Sequence, residues 1–280
     1  MTLTIEDLRG KTVEEAMQLG ADITSPAQKE ARKKTLKKHY EGNTQFVMVK
    51  KGYDEVDKLL SLEQSGIMMF LLGFAKLGGQ GTLYVEQGDN KASKKLTVSK
   101  LGDLLGKSPA QVKRILGELE KLSLIVRTKE GRNTVISLGE QFFNVGKMDN
   151  KQKFTKVFKT ALVSLAGDLS FSELGLFMKL TSSFHFEYQL LCDNPHETDK
   201  EKIQLWSRKH IAEYTGVSEK TVKRILPQLF KKRAIIEITT SKKALLMHPR
   251  LVSKTLRSYT LEEVLTVIEE ASFSKANFKK

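Results

Sequence analysis

The sequence predicts a mainly helical α+β protein. It should hold two tandem helix-turn-helix units, each closed by a small β hairpin, with a helical arm before them and a helix after them. Three observations predict this. A helix–turn–helix pattern occurs first as Leu104–Leu116 and again 110 positions later as Tyr214–Leu226, and both copies end in Val-Lys-Arg-Ile-Leu. Each copy leads directly into two β-type runs joined by a polar turn. The net charge of the 280 residues is +14, which calls for an anionic partner, nucleic acid or an anionic surface.

Length and composition set the frame. A chain of 280 residues suggests two domains. The sequence has no apolar run long enough to span a bilayer and no leader-like apolar stretch at its start. The single cysteine, Cys192, rules out an internal disulfide and suits a reducing cytoplasm. The expectation is a cytoplasmic, nucleoid- or plasmid-associated protein with no membrane contact.

Residues 1–45 read as a basic helical arm. Ile5–Leu19 is weakly amphipathic, and Ser25-Pro26 is a helix start with Ser as cap and Pro in the first turn. Lys29, Arg32, Lys33, Lys34, Lys37 and Lys38 make this arm either a solvated face or a contact to phosphates.

Residues 46–146 read as the first domain. Phe46–Val49 is a short strand. Leu62–Ala75 has apolar residues at helical spacing (Ile67, Phe70, Leu71, Phe74). The group Gly78-Gly79-Gln80-Gly81 is a flexible connection; no Gly-Lys-Ser/Thr follows, so it is no phosphate loop. Thr97 caps the helix Val98–Leu105, with Leu101, Leu104 and Leu105 as its core face, and Gly106 supplies the left-handed residue that ends it. Ser108 caps the next helix, Pro109 starts it and Gln111 completes a capping box. Val112, Ile115, Leu116 and Leu119 form one apolar stripe. The opposite face carries Ala110, Gln111, Lys113 and Arg114, side chains suited to phosphates and base edges. Leu124–Thr128 and Thr134–Leu138 then form a hairpin whose cations are Arg127, Lys129 and Arg132.

Residues 147–253 repeat the order. Phe154–Phe158 matches the first strand, and Ser170–Met178 matches Ser61–Met69. Asp193–Glu201 is a polar insertion. Ile203–Leu205 is a short strand, Ser207 a cap, and Ile211 and Tyr214 core positions. The second recognition helix starts at Ser218 and presents Glu219, Lys220, Thr221, Lys223 and Arg224. Pro227 stands where the first copy has Gly117, which predicts a kinked or shortened helix. The second hairpin pairs Ile235–Ile238 with Ala244–Met247 across a turn containing Lys242 and Lys243. Residues 254–280 form a last helix, opened by a Thr260/Glu263 capping box, and a loose basic tail. That helix either packs on its own domain or pairs with a second copy, and the helices of the N-terminal arm are the other candidate for such a homodimer contact.

A helix-turn-helix followed by such a hairpin has the order of a winged helix. The DNA-binding set expected from it is Ser108, Ala110, Gln111, Lys113, Arg114, Arg127, Lys129, Arg132, Ser218, Lys220, Thr221, Lys223, Arg224, Lys242 and Lys243. No catalytic residue, cofactor or metal is expected. The histidines (His39, His185, His196, His210, His248) lack ligand spacing, and no Walker motif is present. His210 and Trp206 read as structural.

With its Ser-capped helix, wing and closing segment Met247-His248-Pro249-Arg250-Leu251-Val252, the chain resembles the winged-helix replication proteins of Gram-positive plasmids (the RepL type). In those the second wing strand runs into Asn-Pro; here His248-Pro249 stands there, and Gly139-Glu140 in the first copy lacks the proline. Two winged helices in one chain are also similar to theta-type plasmid initiators. The resemblance implies a sequence-specific duplex-DNA-binding replication initiator of a plasmid or phage. The alternatives are a phage or plasmid transcriptional regulator and, in another class, a non-catalytic scaffold recruiting host replication or transcription proteins.

Overall fold

The same order of elements recurs in both halves of the chain. The computed structural model describes residues 45–85, 93–146, 152–255 and 257–280. The arm expected over 1–45, save its last residue, and the connector 147–151 lie outside them. The first half comprises β1 (Phe46–Lys50), α1 (Tyr53–Asp57), α2 (Leu62–Leu72), β2 (Tyr84–Val85), β3 (Lys94–Lys95), α3 (Val98–Leu105), α4 (Pro109–Lys121), β4 (Ile125–Glu130), β5 (Asn133–Leu138) and β6 (Phe143–Asn144). The second comprises β7 (Phe154–Phe158), α5 (Lys159–Asp168), α6 (Phe171–Leu180), α7 (Arg208–Thr215), α8 (Glu219–Lys231), β8 (Ile235–Thr239), β9 (Lys243–Met247) and β10 (Val252–Ser253); α9 (Leu261–Ala271) follows. The described part is thus mixed α+β, with small antiparallel sheets.

The halves interlock. One four-stranded sheet runs in the order β10-β7-β1-β6. Its two central strands, equivalent in the repeat, pair antiparallel, with Val47 opposite Val157 and Met48 opposite Lys156. The equivalent β6 and β10 flank them. The sheet therefore has an approximate two-fold axis between β1 and β7.

The helices beneath repeat this symmetry. Ser61 and Ser170 open α2 and α6 with capping boxes completed by Gln64 and Glu173. A Cβ built on Gly66 would sit 1.7 Å from the Phe171 carbonyl oxygen, and one on Gly175 would sit 1.8 Å from that of Leu62. In the repeat Gly66 corresponds to Gly175 and Leu62 to Phe171, so the contact is reciprocal. Only glycine lets the first turns of the two helices approach this closely. Both helices are consequently buried on nearly all sides, Ile67–Met69 and Leu174–Leu180 included. An apolar pattern running all round the helix, where a one-sided stripe was expected, follows from this shared position. A buried polar cluster crosses the same seam. Asp57 accepts from Tyr53 at 2.9 Å and Ser65 at 2.7 Å, and the Lys179 ammonium lies 3.4 Å away. Burial holds the Asp57 carboxyl above its ordinary range, against the opposing pull of Lys179.

Several expectations need correction. Leu104, expected in the core, is 38% exposed, while Leu101 and Leu105 are buried. The stretch from Gly78 to Gly81 forms a turn closed by hydrogen bonds from Gly79 to Lys76 and from Thr82 to Gly79. Pro227 does not shorten its helix: α8 spans 13 residues, as α4 does. The carbonyl that Pro227 leaves without a partner belongs to Lys223, on the exposed face. Helix α5, which no motif in the sequence announces, packs through Leu162 and Leu165. The tail is not loose. Leu205 bridges Phe278 in parallel and accepts from the Lys279 amide at 3.0 Å, and Asn277 is buried. Helix α9 packs on its own half, with Val264, Ile268, Phe273 and Phe278 against Leu190, Leu205, Ala244 and Leu246.

Gly66→Ala and Gly175→Ala should each cost about 3 kcal/mol or more in denaturant unfolding, because backbone must move to admit a methyl group. Gly117, inside α4 with open space where its Cβ would be, is the control: Gly117→Ala should stabilise by about 0.5–1 kcal/mol. Equal effects at the three sites would refute the reciprocal contact.

Candidate nucleic-acid interface

Each half presents a helix–turn–helix built by the same local rules. Thr97 caps α3 by accepting from the Lys100 amide. The chain then reverses at Gly106, left-handed with φ of 60°. Ser108 accepts from the Gln111 amide while the Gln111 Oε1 accepts from the Ser108 amide at 3.0 Å. In the second half Ser207 donates its amide to His210 Nδ1 at 3.0 Å, Gly216 turns the chain at φ of 66°, and Ser218 caps α8. The imidazole of buried His210 thus takes the place of a carboxamide in the box. Trp206 is buried too and donates to Asp193.

Burial then fixes which faces look outward. In α4, Val112, Ile115, Leu116 and Leu119 are buried; in α8, Val222, Ile225, Leu226 and Leu229 are. Ala110, Gln111, Lys113 and Arg114 are exposed, as are Lys220, Lys223 and Arg224, while Thr221 is half-buried. Lys113, Arg114, Lys220 and Arg224 make no ion pair among the described residues. Lys223 pairs with Glu219 one turn back at 3.1 Å, both side chains well exposed, a contact that solvent makes weak. The capping side chains are committed elsewhere: Gln111 offers only its amide nitrogen outward, and the Thr221 hydroxyl lies 2.9 Å from that of Ser218.

The hairpins diverge from expectation. Arg127 does not face outward. Its backbone amide and its Nε both bind the Glu120 carboxylate, at 3.0 and 2.9 Å, fastening β4 to α4. Hydrogen bonding from Arg127 holds the Glu120 carboxyl below its usual range. Lys243 pairs with Glu237 at 2.8 Å, and Arg208 binds the same carboxylate. Burial works against the ionised Glu237, but the bonds from Lys243 and Arg208 outweigh it and keep its carboxyl low. Lys242 stands over the Phe278 ring at 5.6 Å, where the docked tail reaches the second hairpin. The exposed cations of the first hairpin with no ion pair among the described residues are Lys129 and Arg132. Sequence cannot separate Arg127 from these two, because the difference lies in the carboxylate that the preceding helix supplies.

One cleft belongs to this face. Between α3, the start of α4 and the tip of the first hairpin lies a space of about 560 Å³ lined by Lys107, Lys113, Arg132, Ser99 and Asn133, among others. Lys107 is tied to Glu63 at 2.7 Å. Ser99 and Asn133 were not anticipated, since no pattern in the sequence marks them. Among the described residues no cluster of His, Cys, Asp and Glu is arranged to hold a metal, and no helix is long and apolar enough to cross a membrane. Comparison with protein-family models, curated proteins and solved structures finds no match.

Arg127→Ala should lower stability by about 1 kcal/mol, as removal of a half-buried pair does, and leave affinity for duplex DNA nearly unchanged. Lys129→Ala with Arg132→Ala should do the reverse. The contribution of Glu120 is present above the unfolded carboxylate pKa of about 4.3 and is lost as pH falls through the lower folded value. Acid unfolding of Arg127→Ala should therefore lack that component. Duplex affinity that drops with Arg127→Ala and stability that does not would reverse the assignment.

Proposed function

We propose that the two helix–turn–helix–hairpin units are winged helices and that the protein is a sequence-specific duplex-DNA-binding protein, acting as a replication initiator of a plasmid or phage element. The observation that carries this reading is the equivalent pair of exposed, cationic helix faces, Lys113 and Arg114 on one and Lys220 and Arg224 on the other, each backed by a buried apolar stripe. A module used for packing alone gains nothing from an unpaired arginine at the same position of both copies, Arg114 and Arg224, with a further unpaired lysine beside it on each exposed face. Lys113, Arg114 and Arg224 reach base edges or phosphates, and Lys129, Arg132 and Lys220 hold the backbone.

The pseudo-two-fold arrangement adds a geometric consequence. Units related by such an axis read their half-sites in opposite orientations, about one helical turn apart if both lie on one side of the duplex. Because the helices share Lys-Arg but differ at Gln111 and Thr221, the half-sites form an imperfect inverted repeat. On this reading the initiator binds several copies of that site at an origin, whereas a transcriptional regulator would protect a single operator.

Two measurements test this. Duplex affinity against salt should show that Lys113→Ala with Arg114→Ala, and Arg224→Ala with Lys220→Ala, each cost about 1–3 kcal/mol for every base edge no longer bound. The salt slope should flatten by about 0.9 for every phosphate no longer neutralised. Footprinting on the DNA of the parent element should give repeated protected sites. Unchanged affinity and slope in both double variants would sink DNA binding through these helices, and one protected operator over a promoter would replace the initiator role with a regulatory one.

A further inference from the structure

A second cationic concavity lies at the seam between the halves, formed by residues assigned to neither recognition unit. It is a cleft of about 210 Å³ at the end of the central sheet. Lys50 and Lys51 come from the end of β1, Lys153 precedes β7, and Lys254 follows β10, so both halves contribute. The Lys51 amide donates to the Lys153 carbonyl at 3.2 Å, which holds the two strand ends together. His196, from the polar insertion of the second half, borders the same space, and Asp54 is the one carboxylate among its lining residues. None of the four lysines makes an ion pair among the described residues. The Lys50 and Lys254 ammonium groups donate to neutral carbonyls instead, those of Glu140 and Ser182, at 2.6 and 2.5 Å.

Four lysines against one carboxylate around so small a space leave an excess of positive charge that a bound anion would offset. Burial brings the Lys254 ammonium down to about 7, with Cys192 and Asp54 opposing the shift and Lys153 adding a smaller part to it. Burial, and then the charges of Lys254 and Lys153, bring the His196 imidazole down to about 4. The volume is below that of an ordinary small-molecule pocket, about 300 Å³ at least, so it suits a compact anion better than a nucleobase. Lysines gathered as point charges at the rim of a small space suit a phosphate in particular.

We infer that this seam cleft is a binding site for a phosphate group, held between the halves by Lys51, Lys153 and Lys254. The inference does not rest on the proposed recognition helices. Two sources can supply the group: a small free phosphate, or the backbone of a nucleic acid.

Calorimetric titration of the full chain with inorganic phosphate and with pyrophosphate, at ionic strength matched with chloride, tests the first source. Duplex affinity in phosphate-free buffer tests the second. For a free phosphate, binding saturates, raises the melting temperature, and weakens about tenfold or more in Lys254→Gln and in the double variant Lys51→Gln/Lys153→Gln. Lys121→Gln, at an exposed position outside both sites, leaves that binding intact, and duplex affinity does not respond to the seam substitutions. For a backbone phosphate, neither probe saturates and the double variant weakens duplex binding about tenfold with a shallower salt slope. The double variant alters only exposed side chains, so the test survives if Lys254→Gln fails to fold. Absence of saturable phosphate binding together with unchanged duplex affinity and slope overturns the site. If the protein binds no duplex at all, the phosphate titration alone decides, so the two readings fail separately.

Discussion

The close approach of α2 and α6 through Gly66 and Gly175 is the constraint on which the rest of the structure depends. At each glycine a side chain would collide with a carbonyl oxygen of the opposite half. Because the contact is reciprocal, it joins two copies of one motif around an approximate axis instead of stringing them along a linker. The antiparallel pairing of β1 with β7 obeys the same axis. Two helices buried on nearly all sides, and two central strands each needing the other as neighbour, leave neither half with a complete core of its own. The Asp57–Lys179 pair crosses the same boundary, and a lone ammonium or carboxylate there would be strongly unfavourable. Whatever α4 and α8 touch, their mutual placement is set at this seam.

The halves have nevertheless diverged in what surrounds their hairpins. In the first, the hairpin leans on α4 through Arg127 and Glu120 and keeps Lys129 and Arg132 outward. In the second, the outer face of β8 and β9 is covered: Ala244 and Leu246 pack under α9 and the tail, while Leu245 and Met247 face the main core. This alternation is what a strand with both faces buried requires. The second hairpin has thereby given up freedom that the first retains, and Glu237 neutralises part of its charge. Similar sequence thus yields unequal electrostatics, with the first hairpin the more cationic in effect.

Much of this was legible in the residues. The caps at Thr97, Ser108, Ser218 and Thr260, the turns at Gly106 and Gly216, and the apolar stripes of α4 and α8 all follow local rules, and local rules can be read from a short window. What could not be read was set by distant partners. Nothing near Arg127 in its strand announces Glu120, and nothing in the basic tail announces that Leu205 and Lys200 will receive Phe278 and Asn277. The glycines of α2 and α6 look like poor helix residues until the opposing carbonyl is known. Pro227 misleads for the same reason, since the carbonyl it leaves free lies on an exposed face.

The central claim is that the two joined halves offer two related cationic helices, in opposite orientations, to one duplex. Selection of bound duplexes from a random pool by the full chain tests it most directly, because a single set of enriched sequences gives site length, symmetry and spacing together. The predicted result is two short half-sites, inverted and unequal, with centres about one helical turn apart. Enrichment of a single half-site, of half-sites in direct orientation, or of no sequence at all would contradict it.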